Sequence, residues 1–472
     1  MKSFLILVTS SLLLAATSVA AVGPDYQRPE VASPLAWKQA TPAGILPRGD
    51  WWKLYADPAL DDLVARALGA NQGLAAATAR VEQARAAAGI ARGSYLPSVG
   101  LNPSLNRTRN SETTDNRFPV AESTTYRATL DATWELDFFG RIRRLNEGAR
   151  AEAVASAADF ENVRLALAAE VASSYFSLQA LDRETALLTE GISLRRKALE
   201  LVNSRRANGA ATDFDVARAE TELAATEAES AALANRRAAL QNALAVLLGA
   251  AAPNFELSTS NFELSTVPAI PAGLPSELLE RRPDVAAAES TLAAANARIG
   301  VAKAAFFPAI SLTGSFGYAS GDIDRLANSD SKLWSIGPSL YLPIFQGGRN
   351  RANLERSRAA YEESVALFRQ RVLVAFREVQ DALTATQLLA DQAAAQDRAV
   401  AAARRAGTLA QTRYDAGFVN YFEVIDAQRT VLNAERAAAQ LSAQRLVTSV
   451  ALIKALGGGW IATASSTTVA SR

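Results

Sequence analysis

The sequence contains no cysteine and no histidine in 472 residues. Without cysteine there is no disulfide and no thiol nucleophile, and without histidine the commonest general acid–base catalyst is missing. Zinc sites of the usual nitrogen and sulfur type are excluded for the same reason. The sequence also shows no nucleotide-binding loop, no cluster of metal ligands and no nucleophile–base pair. It therefore predicts neither an enzyme nor a bound cofactor or metal.

Excess charge and long hydrophobic runs are also missing. Lysine and arginine number 49 against 48 aspartates and glutamates, and this net charge of +1 gives no reason to expect nucleic acid as a partner. Beyond the first 20 residues no apolar stretch reaches 18 residues, so we expect no membrane-spanning helix there. If the mature chain enters a membrane, it must do so with strands.

The N-terminus has the pattern of a secretory signal peptide. Lys2 supplies a positive charge, Phe4–Ala16 is an apolar run, and Ser18-Val19-Ala20 is a small-x-small cleavage site. The alternative is a membrane-anchoring helix, but the run is short and contains several hydroxyl residues. We expect residues 1–20 to be a cleaved signal peptide and residues 21–70 to form an N-terminal periplasmic segment.

One stretch of the chain changes its hydrophobic period abruptly. Over Arg127–Phe138 apolar and polar residues alternate without exception, which is typical of a strand with one apolar face. After Gly140 the apolar residues recur at gaps of three or four, the period of an amphipathic helix. No proline occurs within Arg141–Ala252, and a helix over Arg143–Ala207 would be roughly 97 Å long at 1.5 Å per residue.

Residues 71–252 combine a helix, a hairpin of strands and a hairpin of helices. The strand hairpin covers 96–139 and has a long hydrophilic loop, and the helical hairpin covers 141–249. Only Gly209–Ala211 separate the two long helices, which indicates a tight antiparallel pair.

The same order of elements returns in residues 282–458. This second part contains a helix, a strand hairpin over 307–345 and a helical hairpin over 349–456. A linker over 253–281 separates the two parts, and a small polar tail covers 459–472. The sequence therefore predicts two internal repeats, each built from one strand hairpin and one helical hairpin.

Four strands of alternating polarity, rich in Trp, Phe and Tyr, fit the wall of a transmembrane β-barrel. The alternative is a half-buried sheet of a soluble domain, but no second sheet is available for packing. Four strands cannot close a barrel, and an open edge in lipid leaves backbone groups without partners. Two chains would give eight strands and a filled interior, whereas three would give twelve strands and a lumen. We expect an α+β membrane protein whose β-barrel continues into a long α-helical coiled-coil barrel.

Short motifs spread over the whole mature chain are specific when taken together. In the first half they are Gly23-Pro24-Asp25-Tyr26, Trp51-Trp52 with Asp57-Pro58, and Trp134-Glu135-Leu136-Asp137 with Phe139-Gly140-Arg141. In the second half they are Arg281-Arg282-Pro283-Asp284, Gly337-Pro338-Ser339-Leu340 with Pro343-Ile344-Phe345, and Tyr414-Asp415-Ala416-Gly417 with Asp426-Ala427-Gln428-Arg429. Through them the chain resembles the outer-membrane efflux channels, the TolC-like outer membrane factors. The resemblance is greatest to the NodT/OprM-like lipoprotein branch that serves resistance–nodulation–division (RND) pumps.

This resemblance implies a fold, a location and a set of partners. The fold would be a homotrimer with one twelve-stranded barrel in the cell outer membrane and a long α-helical tunnel through the periplasm. The function would be that of the passive exit duct in a tripartite efflux system for drugs or other small molecules. The partners would be a periplasmic adaptor (membrane fusion) protein and an inner-membrane RND-type transporter.

One position departs from the lipoprotein branch. Its members carry a lipidated cysteine before the Ala-Val-Gly-Pro-Asp-Tyr run, and Ala20 stands at that place here. Alanine cannot carry the lipid, so ordinary signal cleavage is the expected alternative. An acyl chain adds only a marginal anchor, and we expect the barrel to hold the trimer in the membrane.

A passive duct needs a gate rather than a catalytic group, and we expect the gate at the helix ends farthest from the barrel. Glu423 and Asp426 lie three residues apart on one face of a helix. In a trimer they would form two stacked carboxylate rings, which suit cation selection and constriction. For Glu423 the alternative is a capping box near a helix N-terminus, where any acid is favourable. Asp426 lies beyond the first turn, and the constricting acids of the family fall at both positions.

The resemblance also suggests a latch, in which Asp215 accepts a hydrogen bond from Tyr414. Asp215 could instead only cap its own helix, because an acid three residues after a threonine is a capping signature. A further basic latch residue of some family members would fall at Val419 and is absent. The helix tips around Gly209 and Gly417 are expected to contact the adaptor, although a C-cap alone accounts for both glycines.

A competing interpretation is a periplasmic or surface coiled-coil protein, structural or adhesin-like, without a pore. Such a spacer has no use for four strands of alternating polarity. It predicts no conductance in lipid bilayers and no heat-modifiable trimer on gels.

Overall fold

The structure is a computed structural model that describes residues 21–39, 49–111, 113, 122–257, 266–273 and 275–460. The expected signal peptide and most of the expected C-terminal tail lie outside these residues. In the part of the chain that is described, no helix is both long and apolar enough to cross a membrane.

Long helices account for most of the described chain. The helices are α1 (Pro58–Ala70), α2 (Gln72–Gly93), α3 (Arg141–Ala207), α4 (Asp213–Leu247), α5 (Leu278–Arg281), α6 (Pro283–Ala304), α7 (Arg349–Asp415) and α8 (Tyr421–Ala455). The strands are β1 (Ser98–Arg109), β2 (Glu122–Leu136), β3 (Ala309–Ser320) and β4 (Lys332–Tyr341). Helices α3 and α7 each have 67 residues, and α4 and α8 each have 35, so corresponding helices of the two repeats match in length.

The chain divides into two compact units. The first contains the sheet and comprises the residues up to Glu30, Arg80–Ala157 and Ala287–Arg369. The second contains both turns between long helices and comprises Val31–Ala79, Ala158–Ala286 and Gln370–Arg472.

The four strands form one antiparallel sheet in the order β1-β2-β3-β4, which joins the two hairpins side by side. The register aligns apolar residues of all four strands, as in the row Leu101, Leu130, Phe316 and Trp334. It aligns small and polar residues in other rows, as in Gly100, Asp131, Ser315 and Ser335. Because side chains alternate along a strand, these two rows lie on opposite faces of the sheet.

One face of the sheet is apolar and largely exposed within the protomer. Trp334 is 75% exposed and Ile336 is 69% exposed. On the opposite face the amide of Asn102 donates to Asp131 Oδ2 at 2.6 Å, and the hydroxyl of Thr129 donates to the same oxygen at 3.2 Å. An exposed apolar face opposite a hydrogen-bonded polar face has the alternation of a membrane barrel wall.

Strand β2 ends two residues earlier than the alternation predicts, because Asp137 turns to cap α3. Its carboxylate accepts hydrogen bonds from the backbone N–H groups of Ile142 at 3.0 Å and Arg143 at 2.8 Å. Arg141 donates two hydrogen bonds to Glu135, at 2.7 and 2.6 Å. The charged residues of this motif therefore build the turn from strand to helix.

The N-terminal segment packs against the same turn in the first unit. Gly140 has a φ of 79°, and a Cβ on it would lie 2.4 Å from the Cβ of Ala21, so no other residue fits. Asp25 accepts a hydrogen bond of 2.6 Å from the buried guanidinium of Arg144. These contacts tie residues 21–25 to the start of α3 within this unit.

The Asp57-Pro58 motif starts helix α1 in the second unit. Asp57 Oδ1 accepts hydrogen bonds from the backbone N–H groups of Ala59 at 3.0 Å and Leu60 at 3.2 Å. Pro58 takes the first helical position, where a missing N–H costs nothing. The hydroxyl of Tyr175 donates to Asp57 Oδ2 at 2.9 Å, which ties the cap to the buried core.

A buried arginine connects three parts of the second unit. Arg282 donates to Asp284 at 3.0 and 2.8 Å and to the backbone carbonyl of Ala455 at 2.9 Å, and it lies 2.7 Å from Glu378. Burial by itself would raise the pKa of Asp284, but the hydrogen bonds and charge of Arg282 outweigh it and hold the pKa below its usual value.

Candidate functional site

Two tight turns join the long helices in the second unit. The N–H groups of Gly209 and Ala210 donate to the carbonyls of Arg206 and Arg205, at 2.9 and 2.8 Å. At the equivalent turn Gly417 and Phe418 donate to Tyr414 and Arg413, both at 2.9 Å. Each glycine has a positive φ, 73° and 77°, and each turn is a Schellman C-cap. The C-cap role explains both glycines, and the adaptor contact of these tips stays a prediction.

The helices that leave these turns begin with side-chain caps. Thr212 and Asp215 form the capping box that their spacing predicts, since the Thr212 N–H donates to Asp215 Oδ2 at 2.8 Å. The hydroxyl of Thr212 donates to the same oxygen at 2.8 Å, and these hydrogen bonds lower the pKa of Asp215. At α8 the cap is Asn420, whose side-chain oxygen accepts from the N–H groups of Phe422 and Glu423 at 3.1 and 3.3 Å.

Glu423 does not complete a capping box. Asn420 supplies the cap by itself, and in the part of the chain that is described no hydrogen bond returns from the Glu423 carboxylate to the Asn420 N–H. The Glu423 carboxylate instead lies 3.8 Å from the guanidinium of Arg413. The reciprocal half of a capping box is therefore absent at α8, while Glu423 still lies in the first turn of the helix, where an acid is favourable.

Asp426 has a counter-charge, Arg429, that was not among the residues predicted for the gate. Its Oδ1 accepts a hydrogen bond of 2.5 Å from Nη2 of Arg429, three residues along the same helix. The other terminal nitrogen of Arg429 lies 3.5 Å from Glu222 on α4. The sequence could have predicted the Asp426–Arg429 pair, because an acid and an arginine three residues apart lie on the same face of a helix. The contact of Arg429 with Glu222 could not be predicted in this way, because Glu222 lies on another helix.

Tyr414 and Asp215 do not form the expected hydrogen bond among the residues that the structure describes. The ring of Tyr414 packs edge-on against Tyr421, with centroids 5.0 Å apart. The guanidinium of Arg205 lies over the same ring, 5.2 Å from its centroid. Asp215 is occupied by its capping box. The structure therefore shows the capping role of Asp215, and the latch to Tyr414 stays a prediction.

Arg436 extends the charged contacts away from the turns. It lies 2.6 Å from Glu229 on α4 and 3.6 Å from Glu184 on α3. Glu184 also accepts a hydrogen bond of 2.8 Å from Gln440, and its side chain is only 4% exposed. A buried carboxylate needs such partners, because a charge without them is costly in a medium of low dielectric constant.

Arg195 is a buried arginine in the same region. Its guanidinium donates to the carbonyl of Gly191 at 3.4 Å, and no carboxylate of the described chain lies within ion-pair distance of it. Burial lowers the pKa of Arg195, the negative charges of Glu222 and Glu229 act in the opposite sense, and the positive charge of Arg429 lowers it further. The guanidinium therefore adds positive charge close to Glu222.

No group of three or more acidic residues in the described ranges is arranged to hold a metal ion. The chemistry that this region offers is electrostatic: carboxylates and guanidiniums on three helices beside two tight turns.

Comparisons with known proteins agree with this description. The family model described as "Outer membrane efflux protein" matches residues 63–250 and 274–458. Outer membrane protein OprJ of Pseudomonas aeruginosa is 38% identical over 468 residues, which cover 96% of this chain and 95% of that protein. Pyoverdine export outer membrane protein OpmQ of Pseudomonas putida is 37% identical, covering 91% and 93%. The solved outer membrane channel CmeC of Campylobacter jejuni is 26% identical and superimposes with a TM-score of 0.88, covering 94% of this chain and 96% of that one.

Long helical hairpins joined to a sheet with one exposed apolar face define an outer-membrane channel protein. The chain belongs to the outer membrane efflux protein family, whose model covers both of its repeats. It is the outer-membrane component of an efflux system, and the predicted α+β fold with two repeats is confirmed.

Proposed function

We propose that three copies of this chain form a passive exit duct in the outer membrane. The observation that supports this is the four-stranded sheet, whose apolar rows are exposed on one face. The outer edges of β1 and β4 have no partner strand in the described protomer. Backbone groups on such edges must be paired inside lipid, and twelve strands from three chains close a barrel that keeps a lumen.

The duct works with an energised partner. The sequence shows no nucleotide-binding loop, so transport through it must be driven from elsewhere. We assign that role to an inner-membrane RND-type transporter, which is joined to the duct by a periplasmic adaptor protein. The name of OpmQ supports an export role for this architecture. The turns at Gly209 and Gly417 are the proposed contact with the adaptor.

The proposed domain order is based on the sequence pattern and is consistent with the two ranges that the family model matches. Residues 1–20 are the proposed signal peptide and 21–70 the periplasmic N-terminal segment. Repeats over 71–252 and 282–458 are supported by the two family matches, 63–250 and 274–458.

The proposed gate consists of Asp426 and Glu423 at the start of α8, and the proposed latch joins Asp215 to Tyr414. The support for the gate is that both acids are exposed and lie three residues apart beside a tight turn. In a trimer each acid occurs three times, so Asp426 and Glu423 would form two stacked rings of carboxylates. Such rings of carboxylates favour cations in a pore.

Conductance of the purified protein tests the duct. The full chain, extracted from outer membranes, should migrate as a heat-modifiable trimer and should produce discrete current steps in planar bilayers. Expression in a strain that lacks its own efflux channels should also restore resistance to drugs. A monomer without conductance would support the spacer interpretation and overturn the duct.

A further inference from the structure

The two carboxylates of the proposed gate are not equivalent in the structure, because their counter-charges differ in distance. Asp426 accepts a short hydrogen bond of 2.5 Å from Arg429, whereas Glu423 lies 3.8 Å from Arg413. Arg429 belongs to the same helix as Asp426, so each protomer brings its own counter-charge to the gate. A ring of three Asp426 side chains is therefore also a ring of three arginines.

We propose that Arg429 sets the ion selectivity of the channel by neutralising Asp426, an inference that rests on the gate proposed above. The pair is joined to a second acid, because Arg429 also lies 3.5 Å from Glu222. The three side chains together carry one net negative charge in each protomer. The selectivity of the gate then depends on this sum and not on Asp426 alone.

The helix register supports a fixed position for Arg429. Arg429 pairs with Glu222, and Arg436 pairs with Glu229 at 2.6 Å, one heptad farther along both helices. Equal steps on α4 and α8 show that the two helices run side by side in one register over two turns. The packing of α8 against α4 therefore fixes the position of Arg429 next to Glu222.

The exposure of Asp426 and Arg429 indicates that the pair affects ion passage more than stability. The Asp426 side chain is 60% exposed and that of Arg429 is 49% exposed. Exposed ion pairs contribute little to stability, because water screens them, so the pair does not hold the helices closed by itself. Its charge, however, acts on every ion that passes nearby, because ions respond to the local potential of a narrow pore.

Removing Arg429 should leave the surroundings folded. Glu222 would still reach water, because its side chain is 26% exposed. Asp426, in contrast, would lose its hydrogen-bond donor and keep its full negative charge. The substitution therefore exposes the acid of the gate without leaving a buried charge unpaired.

The test compares the cation-over-anion permeability ratio of four variant trimers with that of the parent, in planar bilayers across a KCl gradient. Relative to the parent protein, R429M should raise the ratio by about twofold or more, and D426N should lower it by a similar factor. The double variant D426N/R429M should return close to the parent ratio, because both charges of the pair are gone. R429K, which keeps the charge, should remain near the parent ratio.

A matched control separates a local effect from a general loss of positive charge. Arg196→Met removes a guanidinium that is 60% exposed and pairs with Glu227 at 3.1 Å and not with Asp426. This variant should leave the permeability ratio unchanged. All variants should yield the same amount of heat-modifiable trimer, which confirms that selectivity and not assembly is measured.

Different outcomes would refute the role of Arg429 and the location of the gate at Asp426. If D426N lowers the ratio but R429M leaves it unchanged, or the double variant stays as low as D426N, Asp426 belongs to the gate and the role of Arg429 is refuted. If neither D426N nor R429M changes the ratio, the gate itself is misplaced. An equal rise with Arg196→Met would also overturn the inference, because the effect would then come from overall charge.

Discussion

At the scale of single residues, burial separates two kinds of charged group in the second unit. Arg282 and Glu184 are buried and each has more than one polar partner, so losing a partner leaves a charge in a poor environment. Asp426 and Arg429 are exposed, and water replaces most of what either loses. Substitutions of Arg282 or Glu184 should therefore lower the stability of the fold. Substitutions of Asp426 or Arg429 should instead change ion passage.

Asp426→Asn should lower cation selectivity and ease opening of the channel in planar bilayers. The substitution keeps the shape of the side chain but removes three negative charges from the proposed ring. Glu227→Gln, at another exposed ion pair, is the control and should behave as the parent does. Unchanged selectivity and conductance would remove Asp426 from the gate.

Arg282→Met should destabilise the second unit by about 3 kcal/mol, because the largely buried Asp284 loses the guanidinium that neutralises its charge and donates two hydrogen bonds to it. The loss should appear as a lower midpoint in urea unfolding followed by circular dichroism. Arg281→Met is the neighbouring control, since Arg281 pairs instead with the half-exposed Glu277. Equal midpoints for the two variants would contradict the special role of Arg282.

The stability of the second unit should also depend on Asp284 at acid pH. The pKa of Asp284 is lower in the folded protein than its usual value, so the contribution is complete above about pH 4. It is lost as pH falls through the lower, folded pKa, because protonation then removes the charge that Arg282 binds. Asp284→Asn should unfold at lower urea concentration at pH 7 and should lose less stability than the parent between pH 4 and pH 2. The same acid sensitivity in both proteins would refute this assignment.

At the scale of elements, the ends of the helices are determined by caps that the local sequence encodes. Thr212 with Asp215 starts α4, Asn420 starts α8, and Gly209 and Gly417 end the preceding helices. These contacts span at most a few residues, and for this reason the turns were predictable.

Gly417→Ala should loosen the turn between α7 and α8 by about 1 kcal/mol, because alanine is strained at a φ of 77°. A Cβ at this position would meet no atom within 4 Å, so the cost comes from the backbone conformation and not from a clash. Hydrogen exchange of the Gly417 and Phe418 amides should become faster. Gly417→Asn should show a smaller effect, since asparagine tolerates this conformation better, and equal exchange in all three proteins would exclude the strain.

At the scale of the whole molecule, the sheet decides where the protein resides. Its apolar rows have no covering layer in the described protomer, and the comparisons place the chain among outer-membrane efflux proteins. Lipid is the environment that makes such a face favourable, and in the proposed trimer the neighbouring protomers would supply the pairing that the outer strands lack.

Ile336→Arg should reduce assembly in the outer membrane, whereas Ser335→Arg, one residue earlier on the same strand, should be tolerated. The two side chains point to opposite faces of β4, and arginine facing lipid near the middle of a bilayer costs about 2–4 kcal/mol. The amount of heat-modifiable trimer in outer-membrane fractions measures the difference. Equal yields of the two variants would show that this face does not contact lipid.

The order of elements was predictable because it depends on periods within the sequence. The alternation over Arg127–Phe138 and the long helical period after Gly140 locate β2 and α3 to within two residues at their junction. The small error arose at Asp137, where a local cap replaced the alternating pattern. The repeat of the whole pattern predicted β3, β4, α7 and α8 in the same way.

By itself, the sequence determined the elements, their two repeats, the tight turns, the capping box of α4 and the pair of acids at the start of α8, because each depends on residues close in the chain. Only the tertiary structure decided which distant groups meet: Arg429 with Glu222, and Arg282 with Glu378. Long side chains carry no periodic signal for a partner some 100 or 200 residues away, and their pairing depends on how helices pack side by side. The charge balance of the proposed gate is for this reason a property of the fold.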